Sequence, residues 1–189
     1  MEDEAVFTFR ACSASFVPSL RARCCQTVLR QEAKTALRGT SGSIAVGKIL
    51  GVMGNSGAGK TTLMRLLSGS PAGDGELRTG KVALNGHSFT RDMYWRHCAS
   101  LSAAPSWSWL TCREHLHFAV ASYLPELSAD GIAAATAQLV ERTGLSACAD
   151  HCCDGDLIRQ GGLSIVGHGQ QRRLALALAL AKRPSVLVA

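Results

Sequence analysis

Gly54, Gly57, Gly59, Lys60 and Thr61 are the residues whose types and spacing could do chemistry. They lie in Gly54-Asn-Ser-Gly-Ala-Gly-Lys-Thr61, which fits G-x-x-x-x-G-K-[ST]. Glycines admit positive φ angles and let backbone come close to a ligand. A bend built from them turns successive N–H groups toward one point and makes an anion nest. A helix starting near Lys60 adds its positive dipole end. The Lys60 ammonium can reach the outer oxygens of a polyphosphate, and the Thr61 hydroxyl is placed to ligand Mg²⁺. The pattern predicts that Gly54, Asn55, Ser56, Gly57, Ala58, Gly59, Lys60, Thr61 and Thr62 hold a nucleoside triphosphate with magnesium.

Such a bend needs a strand before it and a helix behind it. Lys48 to Met53 is a short apolar run and reads as a buried parallel strand. Thr61 to Ser68 follows as a helix with Leu63, Leu66 and Leu67 on one face. Pro71 to Gly75 is a breaker. Gly80 to Leu84 reads as a strand closed by an Asn85-Gly86 turn. Leu110 to Tyr123 is a helix with Thr111 as N-cap and Glu114 completing a capping box. Asp130 to Arg142 is a second amphipathic helix ended by Gly144. His151 to Gly169 reads as loop. In Gln170 to Lys182, Leu and Ala alternate as in a strand, but both are strong helix formers and Pro184 stops the run, so a helix is expected. Ser185 to Ala189 begins another buried strand. Upstream, Val6 to Arg10 alternates as a possible strand, and residues 1 to about 40 are otherwise ambiguous. The order is that of an α/β sheet.

The 189 residues are 47% apolar and 18% charged, a globular balance sufficient for one core. The net charge of +6 is scattered, with no basic stripe interleaved with aromatics, so no nucleic-acid partner is expected. Met1-Glu2-Asp3-Glu4 is acidic where a signal peptide is basic. No apolar run approaches the roughly 20 residues of a membrane helix. The eight cysteines are irregularly spaced and read as buried or half-buried free thiols of a reducing compartment. Cys148, His151, Cys152 and Cys153 lack the second, separated ligand pair of a zinc site.

Further stretches resemble the nucleotide-binding domains of ATP-binding-cassette (ABC) transporters, specifically the G subfamily of white and pleiotropic-drug-resistance type. Leu37 to Gly42 and Gly47 to Gly54 are similar to that family's lead-in to the P-loop, and Thr61 to Gly69 to the helix after it. Val82 to His87 resembles a strand of its β-subdomain. Leu110-Thr-Cys-Arg-Glu-His-Leu116 resembles a helix start of its helical subdomain, and Gly144 to Asp150 that subdomain's end. Gln171 to Leu187 resembles the signature helix and the run toward Walker B. The resemblance implies a P-loop NTPase domain of ABC type: a partial RecA-like core, a small antiparallel β-subdomain and a helical subdomain. It places this domain at 37–189, with 1–36 as an N-terminal extension carrying a possible first strand.

By the same resemblance the nucleotide is ATP, bound with Mg²⁺ between two domains paired head to tail. Its hydrolysis drives transmembrane domains, in cis or in trans, placing the chain at a membrane on the cytoplasmic side. The signature loop departs from the family. Either Leu163 and Ser164 open it and Gly169 and Gln170 close it, with Val166-Gly167-His168 inserted, or Gly167 to Gln170 replaces its core. Ser102 stands where a Q-loop glutamine is expected. Trp107 and Trp109 nearby read as packing residues or as a transmembrane-domain contact. Phe7, Phe9 and Phe16 are the candidates for adenine stacking or for the core. The family's Walker B Asp, catalytic Glu and switch His do not occur by Ala189, so no catalytic residue is assigned and the chain reads as truncated before Walker B. The expectation is ATP binding with little or no turnover. The alternative is a degenerate, non-catalytic regulatory or scaffold module. The Leu110 to Leu116 match and the signature helix argue against a small kinase, and the lack of a long coiled-coil insertion against a DNA-repair ATPase.

Overall fold

The computed structural model describes residues 6–16, 34–73, 76–101, 109–152 and 166–189. Ser102, Trp107, Leu163, Ser164, Cys24, Cys25, Cys153 and the basic stretch 21–30 lie outside them. Contacts divide the chain into two compact units, one running to Cys98 and the other from Ala99 to Leu187.

The first unit is built on a four-stranded antiparallel sheet in the order β2-β1-β3-β4. Its strands are β1 (Val6–Phe16), β2 (Lys34–Ala45), β3 (Glu76–Leu84) and β4 (His87–Ser88). Alternation buries Phe7 and Phe9 of β1 and, past a register shift between Phe9 and Cys12, Cys12 and Ala14. Phe7 stacks edge-to-face on Phe89, with ring centroids 5.7 Å apart, and Phe89 on Tyr94 at 4.6 Å. The β3–β4 turn is Asn85-Gly86, with φ of 52° and 79°. Asn85 Oδ1 also accepts a hydrogen bond from Val6 N at 2.9 Å.

Helix α1 (Lys60–Leu67) follows the glycine bend and buries Leu63, Leu66 and Leu67. Helix α2 (Arg91–His97) starts at Thr90, whose hydroxyl accepts from Met93 N. The chain leaving α1 is tied to β3 by a buried charge. Glu76 has a fully buried side chain and is forked by Arg78, with Nε to Oε1 at 2.8 Å and Nη2 to Oε2 at 2.9 Å.

The second unit is helical: α3 (Cys112–Tyr123), α4 (Ala129–Arg142), a 3-10 turn at Ser146–Cys148 and α5 (His168–Ala181). Cys112, Leu116, Val140, Leu145, Cys148, Val166 and Leu174 form its core. The capping box at α3 is as expected: Glu114 N donates to Thr111 Oγ1 at 3.2 Å, and Thr111 N to Glu114 Oε2 at 2.8 Å. The Leu-Ala run is helix, with Leu174, Ala175, Ala177 and Ala181 buried on one side. β5 (Cys98–Ser100) and β6 (Val186–Val188) form a separate two-stranded sheet.

Three expectations are corrected. Lys48 to Met53 has no regular secondary structure, and Ile49 and Met53 are 98% and 93% exposed. An apolar run becomes a strand only where a neighbour satisfies its N–H and C=O groups, and among the described residues it joins neither sheet. β3 begins at Glu76 rather than Gly80, because its first residues pair with Ser15 and Phe16 of β1. The ambiguous stretch before residue 40 holds β2, whose small, polar and Gly-rich sequence hides its alternation.

The Arg78 guanidinium, together with the Gly73 N–H, holds the Glu76 carboxyl down at about 2. A carboxyl depressed in the folded state contributes stability above its ordinary value of 4.5 that is lost as pH falls toward 2. Glu76→Gln is expected to cost about 2 kcal/mol at pH 7, by leaving the Arg78 fork half-met. It should also flatten the acid limb of a stability-against-pH curve between those two values, as followed by urea unfolding.

Candidate nucleotide-binding site

The predicted cradle residues 54–62 all fall in the first unit, in the bend after the irregular segment 48–53 and in the first turn of α1. Gly54 to Ala58 are exposed, while Gly59, Lys60 and Thr62 are half-buried and Thr61 exposed. Gly57 and Gly59 have φ of 80° and 88°, in the left-handed region that favours glycine. Gly59 is the N-cap of α1 and brings no side-chain cap, and the first turn holds no acidic residue. The first N–H groups of α1 therefore have no side-chain acceptor and meet no negative charge. Ala58 N donates to Asn55 O at 3.1 Å, and Leu63 N to Gly59 O at 2.9 Å, closing the bend onto the helix.

Lys60 folds back over the bend. Its ammonium donates to Gly54 O at 2.7 Å and Asn55 O at 2.8 Å. It thus sits at the rim of the loop, ahead of the helix end. The sheet fixes this loop through Gly59, where an added Cβ would run into the Ala36 carbonyl of β2 and press on Leu37. The donor set (an uncapped helix end, an open glycine bend and one ammonium) fits a polyphosphate, and the exposed Thr61 at the second helical position fits a magnesium ligand.

Of the aromatics considered for adenine, Phe7 and Phe9 are buried to 5% and 3% exposure. Phe7 is spent on Phe89, and Phe9 lies over Gly42, where a Cβ would strike its ring. Phe16, at the end of β1, is half-buried.

The signature-like residues within the described chain are Gly167, Gly169 and Gln170, at the start of α5 in the second unit. Gly167 is the N-cap, and its N–H donates to Gln170 Oε1 at 2.9 Å. Gln171 Nε2 donates to Val166 O at 3.3 Å. Gly167, His168 and Gly169 are exposed. Helix α5 starts two residues ahead of the expected Gln170, because the Gln170 amide caps it. Cys148 donates to Leu145 O at 3.4 Å and Cys152 to Trp109 O at 3.5 Å, so both thiols are engaged with backbone.

Sequence reasoning missed Glu76 and Arg78. Only their alternation in β3 could have pointed to a shared face, and nothing in the sequence marks that face as buried.

The structure thus has an open glycine bend feeding an uncapped helix end beside an antiparallel sheet, and a separate helical unit. Residues 37–189 match the ABC transporter family, and the chain belongs to it. It is 35% identical over 155 residues to ABC transporter G family member 7 of Arabidopsis thaliana, covering 81% of this chain and 21% of that protein. It is 34% identical over 158 residues to Protein white of Drosophila melanogaster, covering 82% and 22%. Methionine import ATP-binding protein MetN of Caulobacter vibrioides is 34% identical over 162 residues, covering 81% and 43%. The G-subfamily resemblance thus holds, and the chain spans about an eighth to a quarter of the G-family proteins it matches. No helix of the described residues is long and apolar enough to cross a membrane.

Gly59→Ala is expected to damage the cradle from within. The clash with Ala36 and the left-handed φ should cost about 2 kcal/mol or more of stability. Nucleotide binding should be lost in the fraction that folds, as read by thermal unfolding and nucleotide titration.

Proposed function

We propose that residues 54–62 bind the triphosphate of ATP with magnesium. The observation that carries this is the end of α1, uncapped and free of acidic residues, placed behind an open bend with the Lys60 ammonium at its rim. In this reading the bend and the first turn of α1 surround the β-phosphate. Lys60 leaves the Gly54 and Asn55 carbonyls for the β- and γ-oxygens, and Thr61 ligands the ion. Magnesium, when bound, neutralises charge shared by those two phosphates. The functional domain is 37–189, with β1 lent to its sheet by the extension 1–36.

The family supports a larger reading. The domain pairs head to tail with a second nucleotide-binding domain and couples ATP binding and hydrolysis to transmembrane domains that export a substrate. That places it on the cytoplasmic side of a membrane through those domains. The signature-like residues Leu163, Ser164, Gly167, Gly169 and Gln170 are then the part offered to the opposing ATP. In this reading the assigned residues bind ATP and none of them orients the attacking water, so the 189-residue polypeptide itself hardly turns it over. A second reading, a regulatory or scaffold module, is favoured by the start of α5, where His168 stands between two exposed glycines and Gln170 is committed to its own helix cap.

Lys60→Ala should weaken ATP binding about 10- to 100-fold, the loss of one charge-assisted contact to phosphate. Equal affinity of variant and parent in a calorimetric titration would sink the site. Phosphate release from the 189-residue polypeptide with MgATP is expected to stay at the level of the Lys60→Ala variant. Robust magnesium-dependent release would overturn the claim of weak turnover.

A further inference from the structure

We infer that Glu76 and Arg78 form a buried latch that sets the direction of α1 and so positions the end of the helix that grips phosphate. The inference rests on the nucleotide reading of the bend at 54–61. Beyond the fork between them, the pair's contacts fall on α1 and the chain that leaves it. Arg78 Nη1 donates to Ser70 O, and Nη2 lies 3.4 Å from Pro71 O. Glu76 Oε2 accepts from Gly73 N at 2.8 Å and lies 3.9 Å from Arg65 Nη2, in the last turn of α1. Ser70 N in turn donates to Arg65 O at 3.1 Å, so the exit turn is fastened to the helix itself.

The Glu76 side chain is fully buried, and that of Arg78 is 15% exposed. An ion pair in such a place adds little stability over a well-packed apolar pair, but it holds its partners in one geometry. The other end of α1 is wedged by Gly59 against the Ala36 carbonyl of β2. Two fastenings on one sheet, at either end, define the axis of an eight-residue helix. That helix is about 12 Å long, so with Gly59 as the remaining pivot a shift of about 3 Å at the latched end turns the axis, and with it the first-turn N–H groups, by about 15°. Reorientation on that scale is enough to spoil a site that works by placement. Glu76 and Arg78 are positioning residues: they touch no nucleotide and act through α1.

The test measures ATP affinity by calorimetry, stability by urea unfolding, and the ³¹P β-resonance of bound ATP, all on the full chain at pH 7. The variants are Glu76→Gln, Arg78→Lys, the apolar pair Glu76→Leu with Arg78→Met, Lys60→Ala and Asn85→Ala. Arg78→Lys keeps the neutralising charge but loses the fork to Ser70 and Pro71. The apolar pair removes the charges together and keeps the volume. Asn85 lies at the far end of β3 and serves as a destabilised control. The inference expects Glu76→Gln, Arg78→Lys and the apolar pair to weaken ATP about 5- to 20-fold and to shift the β-resonance. It expects this even in whichever of them matches the parent's stability, with Asn85→Ala unchanged in affinity. Wild-type affinity and resonance in Arg78→Lys and the apolar pair, with Lys60→Ala impaired, would overturn the latch and leave the site intact. Affinity that merely follows stability, in Asn85→Ala as in the others, would overturn it too. An unaffected Lys60→Ala would overturn the nucleotide reading beneath it.

Discussion

Backbone amides can close on a phosphate only where no side chain stands between them and the oxygen, and the first unit is arranged around meeting that condition. Gly59 is the tightest point. It caps α1 with a positive φ, and the Ala36 carbonyl occupies the place a Cβ would take. The bend is therefore seated against β2, and β2 is held in turn by its long antiparallel ladder with β1. A sheet of only four strands is enough to place the site, because close approach at one residue transmits its position directly to the loop.

Electrostatics act in the same unit in two separate places. At the rim, the Lys60 ammonium is satisfied by two carbonyls of its own loop, so the charge is held near the bend at little solvation cost. At the other end of α1 the charge is interior, and Glu76 is kept ionised by the guanidinium that encloses it. The Arg113–Asp150 pair of the second unit, though bidentate at 2.7 and 3.1 Å, is solvent-exposed and contributes little beyond local tethering.

What the sequence made legible follows from where the information is local. The glycine bend, the α3 capping box and the α5 helix each depend on residues within one or two turns of each other, and all were readable. The Thr90 cap of α2 was equally local and went unread. β2 and the early start of β3 depend on partners far along the chain, and the bulged register of β1 with both neighbours obscures their alternation. Lys48 to Met53 failed in the opposite sense: its composition is that of a strand, but a strand is defined by a partner. Glu76 was invisible because burial of a carboxylate is a property of the packed state and leaves no mark in spacing. The residues of the candidate site form one local pattern, and what holds them in place does not.

The cysteines are distributed in a way that makes them gauges of motion. Cys12 and Cys98 are buried in the first unit, Cys112 and Cys148 in the second, all at 4% exposure or less. A thiol so enclosed meets an alkylating reagent only when its surroundings open. Among the described residues each unit thus carries a pair of internal clocks, and their rates of modification report separately how often each half of the chain breathes.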